Sequence, residues 1–441
     1  MKVLKFGGTS VGSPERMKSV ARLITNGERK IVVLSAMSGT TNKLVEIADY
    51  IKKRNVESAG AMIGHLRSMY KKHIPNLLTT DEAKKKCEEF FHEEFIKLQR
   101  LAGSEFDEKV EKAILAEGEM LSTHMLTYYL EEQGTRVRLV PALDYMRIDA
   151  DGEPMLIPIY DYWSKLLAND KQTEIFITQG FICRNAQGDI DNLQRGGSDY
   201  TASLIGAALH LEEIQIWTDI DGMHNNDPRF VEGTRPVRQL HFEEAAELAY
   251  FGAKILHPTC IQPARYTGVP VRLLNTMQPD APGTLINNVM KPGVIKAIAA
   301  KDNITAIKVV SSRMLLATGF LRRIFEIFER YKTSIDMVAT SEVGVSLSID
   351  NDSRLTPIVE ELKKIGTVEV DQDMCIICVV GDLVRENKGF LGQITSAFSD
   401  VAIRMVSYGG SNHNVSFLVR QEDKQKALQA LSQTLFSQDN A

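Results

Sequence analysis

The sequence predicts an α/β chain: an open sheet covered on both faces by helices, then a pair of ferredoxin-like modules. Three observations predict it. Short apolar runs each end in a small or polar turn and lead into a helix, as in Val3-Leu4 before Lys5-Phe6-Gly7-Gly8-Thr9-Ser10. The run Ile31-Val32-Val33-Leu34 is apolar throughout, which suits a strand buried on both sides. An internal repeat fills the last third. Gly319-Phe320-Leu321-x-x-Ile324-x-x-x-Phe328 recurs as Gly389-Phe390-Leu391-x-x-Ile394-x-x-x-Phe398, and Val345-Ser346-Leu347 recurs as Val415-Ser416-Phe417. Each copy reads strand, helix, strand, strand, helix, and a closing strand at 367–373 makes the first copy βαββαβ.

At 441 residues the chain is too long for one core, and about 150 residues per domain gives two to four domains. A formal net charge of −5 argues against a general nucleic-acid binder, so any phosphate site must be local. No apolar run approaches the ~18 residues that span a bilayer, and the chain enters a strand at once, without a signal peptide. Five scattered cysteines fit a reducing cytoplasm better than a disulfide framework. Cys375 and Cys378 form a Cys-x-x-Cys, but in a strand this spacing points them to opposite faces. No second pair completes a zinc site, so they read as buried structural thiols.

In chain order, the opening strand turns on Gly7 and Gly8, with Thr9 or Ser10 as cap and Pro14 early in the next helix. A strand, a glycine turn and a helix N-terminus aim bare N–H groups at an anion. These six residues alone are equally an ordinary turn. The second strand ends in Ser35-Ala36-Met37-Ser38-Gly39-Thr40-Thr41-Asn42, and a helix begins near Leu44. Residues 51–115 are charged and helical, with a capping box at Thr79 and Glu82; the run Lys84-Lys85-Lys86 reads as a solvated face. A helix opens at Ala116-Glu117-Gly118-Glu119, where its acids suit the dipole. Strands follow at 137–140 and 175–182. Arg195-Gly196-Gly197-Ser198-Asp199-Tyr200 is a second glycine turn, capped by Ser198 or Asp199, before a helix to Leu209. The strand at 214–217 ends in Thr218-Asp219, a small-residue helix spans 241–256, a late strand spans 269–274, and prolines and glycines at 278–293 mark a domain boundary.

These pieces suit phosphoryl transfer, which needs positioning and charge neutralisation more than covalent work. Lys5 supplies a point charge, and Gly7, Gly8, Gly196 and Gly197 supply amides. Asp199 either orients Lys5 or caps its helix. Arg195 can grip a carboxylate through two parallel hydrogen bonds. Thr218, Asp219, Arg229 and Lys254 are placed to hold a nucleotide.

Lys5–Ser10, Arg195–Tyr200, Trp217-Thr218-Asp219 and Phe251-Gly252-Ala253-Lys254-Ile255-Leu256-His257-Pro258, in this order and spacing, resemble the signatures of aspartate kinase, a family of the amino acid kinase superfamily. The resemblance covers essentially the whole chain and is nearest the monofunctional, lysine-sensitive branch; the repeat is similar to that family's two ACT domains. It implies a three-layer αβα sandwich of the amino acid kinase type over 1–290, with a helical insertion at about 51–115. It implies a first ACT domain at 310–373 inserted into a second, which is made of 294–309 and 374–441.

The implied activity is transfer of the ATP γ-phosphate, with Mg²⁺, to the β-carboxylate of L-aspartate, giving 4-phospho-L-aspartate for lysine, threonine and methionine biosynthesis. Lys5, Asp199, Gly7 and Gly8 carry the implied chemistry, and Ser35, Thr41, Glu119, Arg195 and Ser198 match the aspartate-binding positions. Lys5, Gly7, Gly8, Gly196, Gly197, Thr218, Asp219, Arg229 and Lys254 match the nucleotide positions, and no residue is assigned as a metal ligand. His224 stands where the lysine-sensitive relatives carry a nucleotide-contacting tyrosine. Met314, Gly319, Phe320, Leu321, Ser334, Ile335, Asp336, Thr340, Ser341 and Glu342 match an effector site for L-lysine between the ACT domains of two subunits, with Asp336 and Glu342 facing its ammonium. Leu316 and Ala317 replace a histidine and a serine there. A homodimer through the ACT domains, or a tetramer, is the implied assembly, without nucleic acid or membrane. Two rivals are an amino acid kinase acting on glutamate or acetylglutamate, and a non-catalytic amino-acid sensor; the latter predicts loss of Lys5 or Asp199.

Overall fold

The structure, a computed structural model, describes all residues except 194–195, 253–255, 292, 316–317, 383–387 and 437–441. It divides by packing into two units, Met1–Met223 with Ile255–Asn288, and His224–Lys254 with Val289–Ala441.

The first unit contains β1 (Lys2–Phe6), α1 (Pro14–Ile24), β2 (Lys30–Leu34), α2 (Thr40–Lys52), α3 (Val56–Leu77), α4 (Asp81–Ala102), α5 (Glu108–Glu132), β3 (Val137–Leu139) and α6 (Leu156–Asn169). It continues with β4 (Ile175–Gln179), β5 (Ile182–Arg184), β6 (Ile190–Asn192), α7 (Gly197–Ala208) and β7 (Ile214–Thr218). After β8 (Gln239–His241) and α8 (Phe242–Tyr250), which belong to the second unit, it closes with α9 (Pro258–Thr267), β9 (Val271–Asn275) and β10 (Thr284–Asn287).

Within this unit the strands run in the order β3-β4-β2-β1-β7-β9-β10. All neighbours are parallel except β10, which is antiparallel to β9. The chain steps from β1 to β2 on one side and returns to β7 on the other. Such a reversal opens a crevice at the carboxyl ends of the two strands. Side chains alternate across the sheet. Leu4, Phe6, Val32, Leu34, Ile175 and Ile177 share a core with α1 to α5. On the opposite face Val3 meets Gly206 of α7, where a Cβ would lie 3.3 Å from it and 2.3 Å from Ile214. Helices α6 and α9 pack on α7, completing the third layer.

Several local expectations shift. Ser13, not Thr9 or Ser10, caps α1 by accepting from Arg16 N, because Pro14 already occupies the first helical position. Thr80, not Thr79, caps α4. The Thr79 and Thr80 amides both donate to Glu132 Oε1 across the fold, so no local box with Glu82 forms there. The helix expected from Ala116 begins at Glu108, capped by Asp107, and so Glu117 and Glu119 sit in its interior and not at its positive end. The helix expected over 241–256 ends at Tyr250. The boundary stretch 278–293 contains β10, paired to β9 through Thr284, Leu285 and Ile286.

The second unit is built on a six-stranded sheet with the order β12-β13-β11-β14-β16-β15. Its elements are β11 (Ile295–Val310), α10 (Phe320–Arg330), β12 (Met337–Thr340), β13 (Gly344–Ile349), α11 (Leu355–Leu362) and β14 (Thr367–Gly381), then α12 (Phe390–Ser396), β15 (Met405–Tyr408), β16 (Asn414–Arg420) and α13 (Lys424–Phe436). The repeat explains its two cores. Gly319 and Gly389 cap α10 and α12 in the left-handed conformation, φ 78° and 91°, where glycine carries no steric penalty. Phe320, Ile324 and Phe328 fill one core with Val345 and Leu347. Ile394 and Phe398 fill the other with Val415 and Phe417. Strands β11 and β14 are long enough to serve both modules. The end of β11 (305–310) pairs with β13, its whole length pairs with β14, and the end of β14 (374–380) pairs with β16. The strand assigned by sequence to the second module alone therefore also carries the first.

Residues 224–254, placed by sequence with the catalytic part, pack in this unit. Asn226 Nδ2 donates to Leu428 O, Asn414 donates to Glu247 on α8, and Val231 joins the second core. All five cysteines are buried and free.

Candidate active site

The carboxyl ends of β1, β2, β4 and β7 bring four turns together. Gly7 N donates to Trp217 O, Ser38 N to Gly8 O and Gly180 N to Leu34 O. At Gly8 a Cβ would come within 2.8 Å of Ala36 O, so only glycine lets the two loops approach.

Lys5 reaches from β1 across this crevice. Its Nζ lies 2.7 Å from Asp199 Oδ1, with the two side chains 12% and 16% exposed. Asp199 is available because the cap of α7 is Gly196, at φ 88°, with no side-chain cap bond. Neither Ser198 nor Asp199 caps the helix; both lie in its first turn. The same ammonium sits 3.5 Å from where a Cβ on Gly7 would be, so it lies over the bare glycine backbone.

On one side of this pair is Glu119. It is buried within α5, accepts from the Ala36 amide, and its Oε2 has no partner among the described residues. Burial pushes its pKa up to about 8, opposed by the Ala36 N–H and the charge of Lys5. The adjoining segment is tethered at several points. Ser122 Oγ donates to Ser35 O at 2.8 Å, and Thr40 Oγ1 lies 3.0 Å from Tyr70 OH. Thr41 is exposed on the first turn of α2. Ser198 is nearly buried beside Gly180, where a Cβ would lie 2.4 Å from Ser198 Oγ. Gly180 carried no sequence signal beyond its place after a strand, yet it sets how closely α7 approaches β4. Gly180→Ala should lower thermal stability by about 1–3 kcal/mol, as overpacking does, read as a fall in the thermal unfolding midpoint; an unchanged midpoint would mean that the contact relaxes freely.

At the end of β7, Thr218 Oγ1 donates to Asp219 Oδ1, and Thr218 O accepts from Thr276 N. Arg229 belongs to the second unit and forms a forked pair with Asp227, Nε at 2.9 and 3.1 Å and Nη2 at 2.6 Å. His224, in the same unit, lies 3.0 Å through Nδ1 from Thr234 Oγ1. Arg195 and Lys254 lie outside the described residues, as do Leu316 and Ala317.

A separate pocket of about 360 Å³ opens in the second unit, lined by Met314, Leu315, Gly319, Phe320, Leu321, Ser341 and Glu342. Ser334, Ile335, Asp336 and Thr340 do not line it. The Asp336 side chain is fully buried, with Oδ1 3.0 Å from Lys301 Nζ, which Asp350 shares, and accepting from Tyr250 OH at 2.8 Å, while its Oδ2 has no partner among the described residues. Among the described residues no helix is long and apolar enough to cross a membrane.

The model of the amino acid kinase family matches residues 1–275, and that of an ACT domain matches 377–435. Fold and site thus define a kinase of small carboxylic or amino acids with a regulatory module. The chain is 35% identical to the chloroplastic aspartokinase 2 of Arabidopsis thaliana, over 99% of this chain and 84% of that protein. Its structure is similar to that of E. coli aspartokinase III in complex with aspartate and ADP, with a TM-score of 0.84 at 30% identity over 99% and 100% of the two chains. It is also similar to the complex of that enzyme with lysine and aspartate, with a TM-score of 0.82 at 31% identity and the same coverage. The chain belongs to the aspartokinases. It is an aspartate kinase, and its ACT module makes it an allosterically regulated one.

Proposed function

We propose that Lys5, held by Asp199, stabilises the γ-phosphoryl group as it passes from ATP to the β-carboxylate of L-aspartate. The 2.7 Å Lys5–Asp199 pair over the Gly7 backbone is the observation that supports this reading best. The loops leave space for an anion: where Gly8 approaches Ala36 O there is no room for a side chain, so glycine backbone walls the crevice. Gly196 and Gly197 add their backbone, and Thr218, Asp219, Arg229 and Lys254 hold the rest of the nucleotide. Mg²⁺, brought with the nucleotide, would supply neutralisation of phosphate charge. Glu119 takes the substrate ammonium, Arg195 its α-carboxylate, and Ser35, Thr41 and Ser198 complete the pocket. The catalytic domain falls within residues 1–290, without the stretch 224–254 that packs in the second unit, and the shared sheet carries two ACT domains.

L-Lysine binds in the pocket at Met314–Glu342, with its ammonium facing Glu342. Asp336, beside this pocket and paired to Lys301, keeps Oδ2 without a partner among the described residues, and it belongs to the same effector site. A second subunit across the ACT domains completes the regulated assembly. The fit to E. coli aspartokinase III, solved with lysine, supports this choice of effector. A coupled ADP-release assay tests both readings. Turnover is expected with L-aspartate and not with L-glutamate or N-acetylglutamate, and inhibition by lysine and not by threonine or methionine. Inhibition by threonine but not lysine would overturn the choice of effector, and turnover of glutamate would overturn the choice of substrate.

A further inference from the structure

We propose that Tyr70, in the helical insertion, is a positioning residue for the aspartate pocket. Its hydroxyl holds the turn from which that pocket is built.

Tyr70 lies on α3, outside the parallel sheet, and is fully buried. Its ring is packed edge-on against Phe91 and Phe95 of α4, with centroids 5.4 and 6.4 Å away. A buried phenol needs a partner for its hydroxyl. Here the partner is Thr40 Oγ1, at 3.0 Å. Thr40 is the first residue of α2 and is itself completely buried. It follows Gly39, which enters the helix at φ 79° and offers no side-chain cap, so the start of α2 lacks the usual local tether. Tyr70 supplies one from 30 residues away.

The opposite side of Thr40 is also fixed. A Cβ at Gly118 of α5 would lie 3.4 Å from Thr40 Cγ2 and 2.7 Å from Ala36 Cβ. The turn is thus pressed by α5 on one side and bonded by α3 on the other. One residue further on, Glu119 accepts from the Ala36 amide, and Tyr70 and Glu119 are close enough for the carboxylate to disfavour ionisation of the phenol. Burial, the larger cause, also raises the phenol pKa, so Tyr70 stays neutral and works through its hydrogen bond. Removing that hydroxyl frees the first turn of α2 and with it Thr41. It leaves Lys5, Asp199 and the glycine loops untouched.

The inference rests on the assignment of Thr41 and Glu119 to aspartate binding. The experiment is steady-state kinetics on the full chain, with aspartate and ATP varied separately and thermal unfolding measured in parallel. Tyr70→Phe is expected to raise KM for aspartate about three- to tenfold, the scale of one lost hydrogen bond, with KM for ATP within twofold. Thr40→Val should reproduce the effect, Thr40→Ser, which keeps the hydroxyl, should leave KM near wild type, and the Tyr70→Phe/Thr40→Val double variant should be no worse than either of its single ones, since each removes the same bond. An unchanged aspartate KM in Tyr70→Phe overturns the proposal, as does an equal rise for both substrates. Glu119→Gln separates the two readings. If it raises the aspartate KM while Tyr70→Phe does not, only the positioning role falls. If neither changes it, the pocket assignment falls as well.

Discussion

Lys5→Ala is expected to turn over aspartate at least about a hundredfold more slowly than the wild type while still binding nucleotide. The magnitude is that of losing one pre-organised charge stabiliser in a transition state, about 10²–10³ in kcat. In a transfer whose catalysis is mainly positioning and electrostatics, Lys5 is the full charge placed over the Gly7 backbone. Nucleotide binding survives because the amides of the loops and the residues at the end of β7 remain. Calorimetry with ADP should give a Kd within about tenfold of wild type, the scale of one lost hydrogen bond, and a coupled assay reads the turnover. Asp199→Asn is expected to be milder, since the ammonium stays but loses the carboxylate that aims it at 2.7 Å. Near-normal turnover in Lys5→Ala would refute the role.

The second large effect concerns pH. Without substrate, Glu119 has a pKa raised to about 8, so below that pH its carboxyl holds a proton. The ammonium of aspartate favours the carboxylate, so binding must expel that proton. KM for aspartate should therefore fall as pH rises from 6 to 8, by up to about tenfold per unit at the acid end, and level off above. Titration calorimetry at pH 6.5 in two buffers of different ionisation enthalpy should register close to one proton released per aspartate bound. Glu119→Gln should weaken binding and flatten the dependence. A flat profile in the wild type would show that Glu119 is already ionised in the empty pocket.

Much of this was legible in the sequence, for physical reasons. Gly319 and Gly389 each enter a helix in a left-handed conformation, and the apolar positions after them must repeat to fill equivalent cores. The two-sided burial of β2 follows directly from its unbroken apolar run. Other features depend on long-range partners. Asp199 reads equally as a cap or as a partner of Lys5 until Gly196 is seen to take the capping place. Glu119 reads as a helix-start acid until α5 is found to begin at Glu108, capped by Asp107, in the charged run before it. The pairing of Asp336 with Lys301 of β11 joins residues 35 positions apart, and nothing local in the sequence announces it. The Tyr70–Thr40 bond joins the insertion to the catalytic turn, and no periodicity encodes such a contact.

The two long strands of the second unit also have a consequence for how the regulatory part folds and evolves. Because β11 and β14 each contribute to both cores, neither module owns a complete set of strands. A chain cut near residue 373 would leave residues 295–301 of β11 without their partners at 376–381 of β14, and would part the second module from that strand. Exposed edges of that kind recruit other strands. The duplicated modules are thus a single cooperative unit. The register of β11 against β14 shifts between Lys301, Ile304 and Ala306, where the strand passes from one core to the other. Duplication here produced two copies of a sequence but only one inseparable folding entity.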